Sequence, residues 1–286
     1  MFNIELSIVI VAYKNLDLLI DCIESIYEFN DISDRLEIII VDNSPDETYV
    51  YNYIKNRYRD IIIIKNINNG FGAANNIGAK LSRGKYILFL NPDTVLVEPI
   101  IKFAINKFEN DKDLSMFGLK LTDINNKDVS CGIIGEFGSI DNIILKILNL
   151  LKIYMPSFMY ISGADIFIRK NVFFDVGMFD ENIFMYYEES DLSRRILKNN
   201  DSHKIKLFRD KEIKHICGGT TEIKEESLKF RLKSYRYFCN KENYDYRVKL
   251  KLYILINKLK MILFTFNKER LCSLKSINKI IEEFCS

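Results

Sequence analysis

Three carboxylates fall within four consecutive residues in Glu188-Glu189-Ser190-Asp191, directly after Tyr186-Tyr187 and at the start of a helical pattern. Like charges crowded in a cleft raise one another's pKa, which suits a general base. The same residues also stabilise a helix N-terminus, and Asp191 stands at the i, i+4 spacing that pairs it with Arg195. The chemistry is therefore assigned to Glu189 or Glu188, with Asp191 a third candidate whose duty is largely structural. A second group is Leu90-Asn91-Pro92-Asp93-Thr94. An aspartate at a strand end facing a ligand crevice can hold magnesium or manganese, which take hard oxygen ligands and often share a diphosphate with one or two carboxylates. A proline turn with a capping side chain would use the same residues.

Two further groups could touch a ligand. Asp42-Asn43 can accept from a ribose or a base edge, or can bond its own backbone in a turn. Asn68-Asn69-Gly70-Phe71-Gly72-Ala73-Ala74-Asn75-Asn76 offers two glycines beside a helix start, where backbone can approach a ligand. It lacks the G-K-[ST] ending of a P-loop and follows the third strand rather than the first, so it is no dinucleotide fingerprint. The chain has two histidines. His203 lies in a polar turn and reads as solvated. His215 precedes Ile216-Cys217-Gly218-Gly219-Thr220-Thr221, where it can serve as a metal ligand, a phosphate contact or a structural group.

The elements that must position these groups alternate. Leu6–Ala12, Glu37–Val41, Ile61–Ile64 and Tyr86–Leu90 are short apolar runs rich in β-branched residues, as buried parallel strands are. Helices are expected after Asn15, from Pro45-Asp46, over Ala73–Leu81 and from about Glu98 to Glu109. Strand–helix alternation with short links predicts a mostly parallel sheet with helices on both faces. Ligands bind such sheets at the carboxyl ends of the strands, where Asp42, the loop 68–72 and Asp93 all fall. From about Met116 the rhythm changes: short strands and turns over Leu121–Gly138, a helix over Leu145–Ile153, a strand over Asp165–Arg169, a helix over Glu188–Lys198 and a strand over Lys204–Phe208. Beyond Thr221 only helices are expected.

Composition bounds the remaining possibilities. With 286 residues, 48% of them apolar and 28% charged, the chain is expected to be globular. A net charge of +2 argues against a nucleic-acid binder. No long uncharged apolar run and no signal peptide are seen, and six scattered cysteines show no C-x-x-C pair. A cytoplasmic protein with free thiols is expected.

Taken in order, the motifs resemble a known family. They run S-I-V-I-V-A-Y (7–13), V-D-N-S (41–44), N-N-G-F-G-A-A-N-N-I-G (68–78) and L-N-P-D-T (90–94). They continue with S-G-A-D-I-F-I-R-K (162–170), V-G-M-F-D-E-N-I-F-M-Y-Y-E-E-S-D-L (176–192) and H-I-C-G-G-T-T (215–221). This order is similar to the inverting family 2 glycosyltransferases of the GT-A fold, and within them to the rhamnosyltransferase-like bacterial branch that builds surface polysaccharides. It covers about residues 5–240, including R-L-K-S-Y-R-Y-F at 231–238.

The resemblance implies a nucleoside-diphosphate sugar donor (dTDP-rhamnose or a UDP-hexose), a divalent cation, Mn2+ or Mg2+, and a hydroxyl on a glycan or lipid-linked acceptor. Ala12, Tyr13, Asp42 and Asn68 would line the nucleotide site, with Gly70 and Asn75 from the same loop and helix. Asp93 matches the last Asp of the family's D-x-D element, with Asn91 where the first Asp often stands. Asp93 and His215 would face the metal and diphosphate. Gly163, Ala164 and Asp165 match a segment near donor sugar and acceptor. Glu189 stands where the family usually has its Asp general base, and Glu188 stays in contention.

The implied layout is a catalytic domain over 1–220, with a nucleotide-binding half to about 115 and an acceptor half from about 116, then a helical extension over 221–286. In that extension Val248, Leu252, Leu255, Ile256, Leu259, Ile262, Leu263 and Phe266 share one helical sector, while Lys249, Lys251, Lys258, Lys260 and Lys268 fall outside it. Such a stripe lies on an anionic membrane or packs on the catalytic domain or a second subunit. A sugar-nucleotide-forming nucleotidyltransferase and a non-catalytic glycan- or nucleotide-binding relative are the rival readings. Tyr13-Lys14-Asn15 after the first strand, where a nucleotidyltransferase carries a glycine- and basic-rich loop, speaks against the former.

Overall fold

The computed structural model describes residues 4–45, 49–216, 225–263 and 267–285. The expected second-helix start at Asp46, the glycine-rich 217–221 segment and Phe266 lie outside them.

Ten strands and ten α-helices are described. Strands β1 (Leu6–Ala12), β2 (Leu36–Asp42), β3 (Ile62–Lys65) and β4 (Tyr86–Leu90) pair in parallel in the order β3-β2-β1-β4. Helices α1 (Leu16–Glu28), α2 (Val50–Arg57) and α3 (Phe71–Leu81) connect them. Strand alternation decides which face each side chain enters. Leu6, Ile8 and Ile10 of β1 pack with Leu19, Cys22, Ile23 and Ile26 of α1, whereas Val9 packs on the opposite face with Ala79 of α3. The two-sided burial explains why these strands read as unbroken apolar runs.

The sheet is mixed rather than parallel in its second half. β9 (Asp165–Arg169) inserts antiparallel between β4 and β6 (Leu114–Asp123), and β10 (Lys204–His215) runs parallel to β6. A three-residue strand that the sequence pattern does not reveal, β5 (Thr94–Leu96), closes the sheet antiparallel to β10. β10 is twelve residues long, because it continues through a bulge into the pairing with β5. Helix α4 (Ile101–Asn110) consequently starts after β5, later than expected. A separate two-stranded sheet, β7 (Cys131–Ile133) with β8 (Met159–Ile161), brackets α5 (Ser139–Leu150). That helix begins six residues before the expected Leu145. His203 is not merely solvated: its Nδ1 lies 2.7 Å from Ser115 Oγ.

After the short helix α6 (Lys170–Asp175) and α7 (Glu188–Asn199), the chain ends in α8 (Glu225–Lys241), α9 (Tyr246–Leu263) and α10 (Lys268–Cys285). Leu228, Leu232, Tyr235 and Phe238 of α8 bury with Phe137 and Tyr187, and α9 and α10 add Leu250, Ile254, Ile277 and Ile281 to that cluster. The three helices share this core with the loops beside α5 and α7.

One buried cation ties the second half of the sheet together. Arg169, at the end of β9, donates to the carbonyls of Leu114 at 2.7 Å, Asp111 at 3.0 Å and Phe108 at 2.5 Å. Its guanidinium also lies over the Phe108 and Tyr86 rings. Arg169→Met removes all three bonds, with Asp111 O keeping only its bond from Leu114 N, and is expected to cost about 3 kcal/mol of stability. Urea denaturation with an unchanged m-value checks this.

Candidate active site

One cavity of about 630 Å³ opens at the carboxyl ends of β1 and β4. This volume suits a nucleotide-sized ligand. The loops after β2 and β3 form one side through a chain of amide contacts. Asn66 Nδ2 donates to Asn43 Oδ1 at 2.8 Å, Asn43 Nδ2 donates to Asn68 Oδ1 at 3.3 Å, and that oxygen also accepts from Gly70 N. Tyr13, Asn43 and Asn68 line the cavity. Ala12 and Asp42 sit just behind it. Ala12 O accepts from Asn43 N, and Asp42, fully buried, accepts from Ser44 N at 2.9 Å, with Lys65 3.9 Å away.

Gly70 and Asn75 do not line the cavity; they hold its wall. Gly70 has φ of +110°, and a Cβ there would meet Phe184 O at 2.4 Å. Phe71 N donates to that same carbonyl at 2.9 Å. Asn75, buried in α3, donates to Phe71 O. These contacts fasten the nucleotide-side loop to the segment leading into α7. Asn76 adds to the clasp, donating to Phe179 O and accepting from Phe179 N.

Asn91, Pro92 and Asp93 face the cavity from the end of β4, and His215 joins them from the end of β10. Register explains the meeting of residues over a hundred positions apart: Thr94 pairs with His215 across β5 and β10, and Ile216 N donates to Asp93 O at 2.8 Å. His215 Nε2 lies 3.1 Å from Asp93 Oδ1, and Asn91 Oδ1 is buried without a hydrogen-bond partner among the described residues. Among the described residues no group of three His, Cys, Asp or Glu side chains gathers for a metal. Two protein ligands with oxygens from a diphosphate nevertheless form a donor set that magnesium or manganese accepts. Asp93 and His215 fit such a cation, and the orphan Asn91 oxygen fits the same end of the cavity.

Glu188 and Glu189 reach the cavity from the first turn of α7. Tyr186 and Tyr187 precede them with φ of 71° and 72°, a left-handed pair that non-glycine residues adopt only when held. Tyr187 is held: it is buried, its hydroxyl donates to Glu136 O at 2.7 Å, and its ring packs on Tyr235 and Phe238. Gly163 N donates to Glu189 Oε1 at 3.1 Å. Burial pushes the Glu189 carboxyl up to about 7 against the pull of its own backbone N–H and of that hydrogen bond, and pushes Glu188 well above the usual carboxylate range, where the neighbouring Glu189 charge adds to the rise. Glu188 Oε2 has no hydrogen-bond partner among the described residues.

Gly163 and Ala164 line the cavity, but Asp165 lies beneath it. Asp165 is fully buried, accepts from Leu119 N at 2.7 Å, and is raised well above the ordinary range by burial. Asp191 is also elsewhere. It is buried between Arg195 at 2.7 Å and Lys241 at 2.6 Å, an ion pair that packs α7 and α8 together. Sequence reasoning missed the α8 wall, Glu226, Ser227 and Phe230, and the aromatic stack of Phe184 on Phe230 with centroids 4.7 Å apart. Residues so distant in sequence carry no local signal of meeting.

The family model for "Glycosyl transferase family 2" matches residues 7–173, more than half of the chain, and the chain belongs to that family. It is 30% identical over 121 residues to a poly(ribitol-phosphate) beta-glucosyltransferase of Bacillus spizizenii, covering 41% of this chain. It is 35% identical over 108 residues to a UDP-Glc:alpha-D-GlcNAc-diphosphoundecaprenol beta-1,3-glucosyltransferase of Escherichia coli, covering 37% of this chain. The matches span only 19% and 42% of those proteins' own lengths. The solved structure of GalNAc-T7 with UDP, GalNAc and Mn2+ superposes on 83% of this chain and 48% of its own, with a TM-score of 0.59 at 16% identity. The architecture is of the GT-A type.

A Cβ at position 163 would lie 2.2 Å from Glu189 Oε1. Gly163→Ala therefore displaces that carboxylate while leaving the remaining cavity wall in place. A fall of roughly a hundredfold in kcat with little change in nucleotide affinity is expected, measured by turnover beside calorimetric binding.

Proposed function

We propose that this chain transfers a sugar, with inversion, from a nucleoside-diphosphate sugar to a hydroxyl of a glycan or lipid-linked acceptor in bacterial surface polysaccharide synthesis. The observation that carries the reading is the meeting in one cavity of the Glu188–Glu189 pair with the Asp93–His215 pair. Family membership supports transfer chemistry, and the two bacterial relatives support a surface-glycan role. We read residues 1–220 as the catalytic part and 221–286 as its helical extension; the Glu226–Phe230 wall makes the extension part of the binding cavity.

The roles follow from environment. Glu188, buried and with no partner for its Oε2 among the described residues, keeps its proton, so the pair carries one negative charge, on Glu189. Gly163 N holds one Glu189 oxygen and leaves the other to accept the acceptor hydroxyl's proton. As that proton leaves, the acceptor oxygen bonds to the anomeric carbon while the bond from that carbon to the diphosphate oxygen breaks. The nucleoside diphosphate departs from the opposite face, so the configuration inverts. A retaining double displacement needs a nucleophile in addition to the acid–base group. Asn43 and Asn68 present amides to the nucleoside, with Tyr13 beside them. Asp93 and His215 would hold a divalent cation, as the GalNAc-T7 structure with UDP and Mn2+ supports; when bound, the cation offsets charge gathering on the leaving diphosphate.

Nucleoside-diphosphate release from a panel of sugar nucleotides tests this, with acceptor present and with manganese or chelator. One donor is expected to turn over, with release lost in chelator and in Asp93→Ala. Glu189→Gln is expected to lower kcat roughly 10²–10⁴-fold. Because the base works ionised, kcat/KM should rise with pH through about 7 rather than near the ordinary carboxylate value. Failure of a folded sample to bind any nucleoside diphosphate overturns the proposal.

A further inference from the structure

Helix α9 is apolar on two sides. Leu250 and Ile254 face the core it shares with α8 and α10. Val248, Leu252, Leu255, Leu259 and Ile262 recur at helical spacing on the other side and are exposed, Leu255 and Leu259 by 55% each. Helix α5 repeats the arrangement, with Ile140, Ile143, Ile147 and Leu150 exposed along one stripe. The stripes adjoin: Ile140 and Leu252 line a shared groove of about 110 Å³, and Lys249 clamps the helices by bonding Gly135 O and Asp141. A continuous apolar surface of this extent marks an interaction site.

Charge identifies the occupant. At 3.6 residues per turn, Lys251 and Lys258 border the α9 stripe on one edge and Lys249 and Lys260 on the other. α9 has no acidic residue; Asp141, the one acid of α5, is matched by Lys249, and Glu282 of α10 pairs with Lys258 at 3.1 Å, so the five basic residues of α9 outnumber these two acids. Lys146 borders the α5 stripe. A two-fold dimer through this face would set one cation-rimmed stripe against its copy, and like charges oppose that contact. An anionic lipid surface offers the complement: acyl chains for the leucines and isoleucines, and phosphates for the lysines. No described helix is long and apolar enough to cross a membrane, so the contact is one of lying on the surface.

We propose that α5 and α9 together form a docking face for anionic lipid headgroups and the acyl boundary beneath them. The assignment does not depend on the reaction catalysed. It is tested by co-sedimentation of the full chain with vesicles of phosphatidylcholine alone or mixed with phosphatidylglycerol. Partitioning is expected only onto the anionic vesicles and is expected to weaken as salt is raised. The paired change Leu255→Glu with Leu259→Glu, at exposed positions, is expected to reduce partitioning roughly tenfold or more. Its circular dichroism and melting temperature should match the parent chain. Lys251→Glu should weaken binding without altering the fold. Absence of binding to anionic vesicles, or equal binding by the folded double variant, overturns the proposal. So does a dimer, seen by sedimentation equilibrium, that the same leucine changes dissociate while vesicles are ignored.

Discussion

The placement of the Glu189 carboxylate in the cavity depends on a 3.1 Å hydrogen bond from Gly163 N. Two neighbouring glutamates enter a partly dehydrated site, and burial alone would keep both protonated. Two backbone N–H groups, that of Glu189 itself and that of Gly163, the latter presented where no side chain fits, stabilise the charged form of one of them. The asymmetry gives the pair its division of labour. Gly163 in turn holds position because β9, which begins two residues later, is wedged between β4 and β6. The contact thus transmits the mixed order of the sheet directly to a carboxylate. The left-handed Tyr186–Tyr187 pair supplies the other half of the placement, turning the chain so that α7 opens toward the cavity.

The other end of the site is built by topology rather than by a local motif. Asp93 and His215 meet because β5 doubles back along β10 and sets Thr94 opposite His215. Between the two ends, the Gly70–Phe184 contact closes the distance from the nucleotide-side loops to the approach of α7. A wall from α8 completes the enclosure, so the first C-terminal helix belongs to the cavity as well as to the core around Tyr187 and Phe238.

Much of this was legible in the chain. The four leading strands announced themselves because burial on both faces demands uninterrupted Ile, Val and Leu, and their carboxyl ends located Asn68 and Asp93. The acidic start of α7 was visible because three carboxylates at a helix entrance are conspicuous. Residue type could not separate them: Asp191 differs from Glu189 only in the face of the helix it occupies, and that face meets Arg195 and Lys241. Asp165 likewise shares a motif with Gly163 and Ala164 yet is spent on Leu119 N of β6 rather than on the cavity. β5 was invisible because a three-residue edge strand has no periodicity of its own, and α5 began early because Gly138 and Ser139 interrupt no pattern that a helix would break. Phe230 and Glu226 reach the cavity by packing across long sequence separations, which no local spacing encodes.

Holding the donor and moving the proton fall to different residues, and calorimetry of nucleoside diphosphate binding to Glu189→Gln in the presence of manganese tests that separation directly. The variant keeps an oxygen for Gly163 N to bond, so it should bind the nucleotide as the parent chain does while its turnover is lost. Loss of binding in step with loss of turnover would contradict the assignment and place Glu189 among the groups that hold the donor.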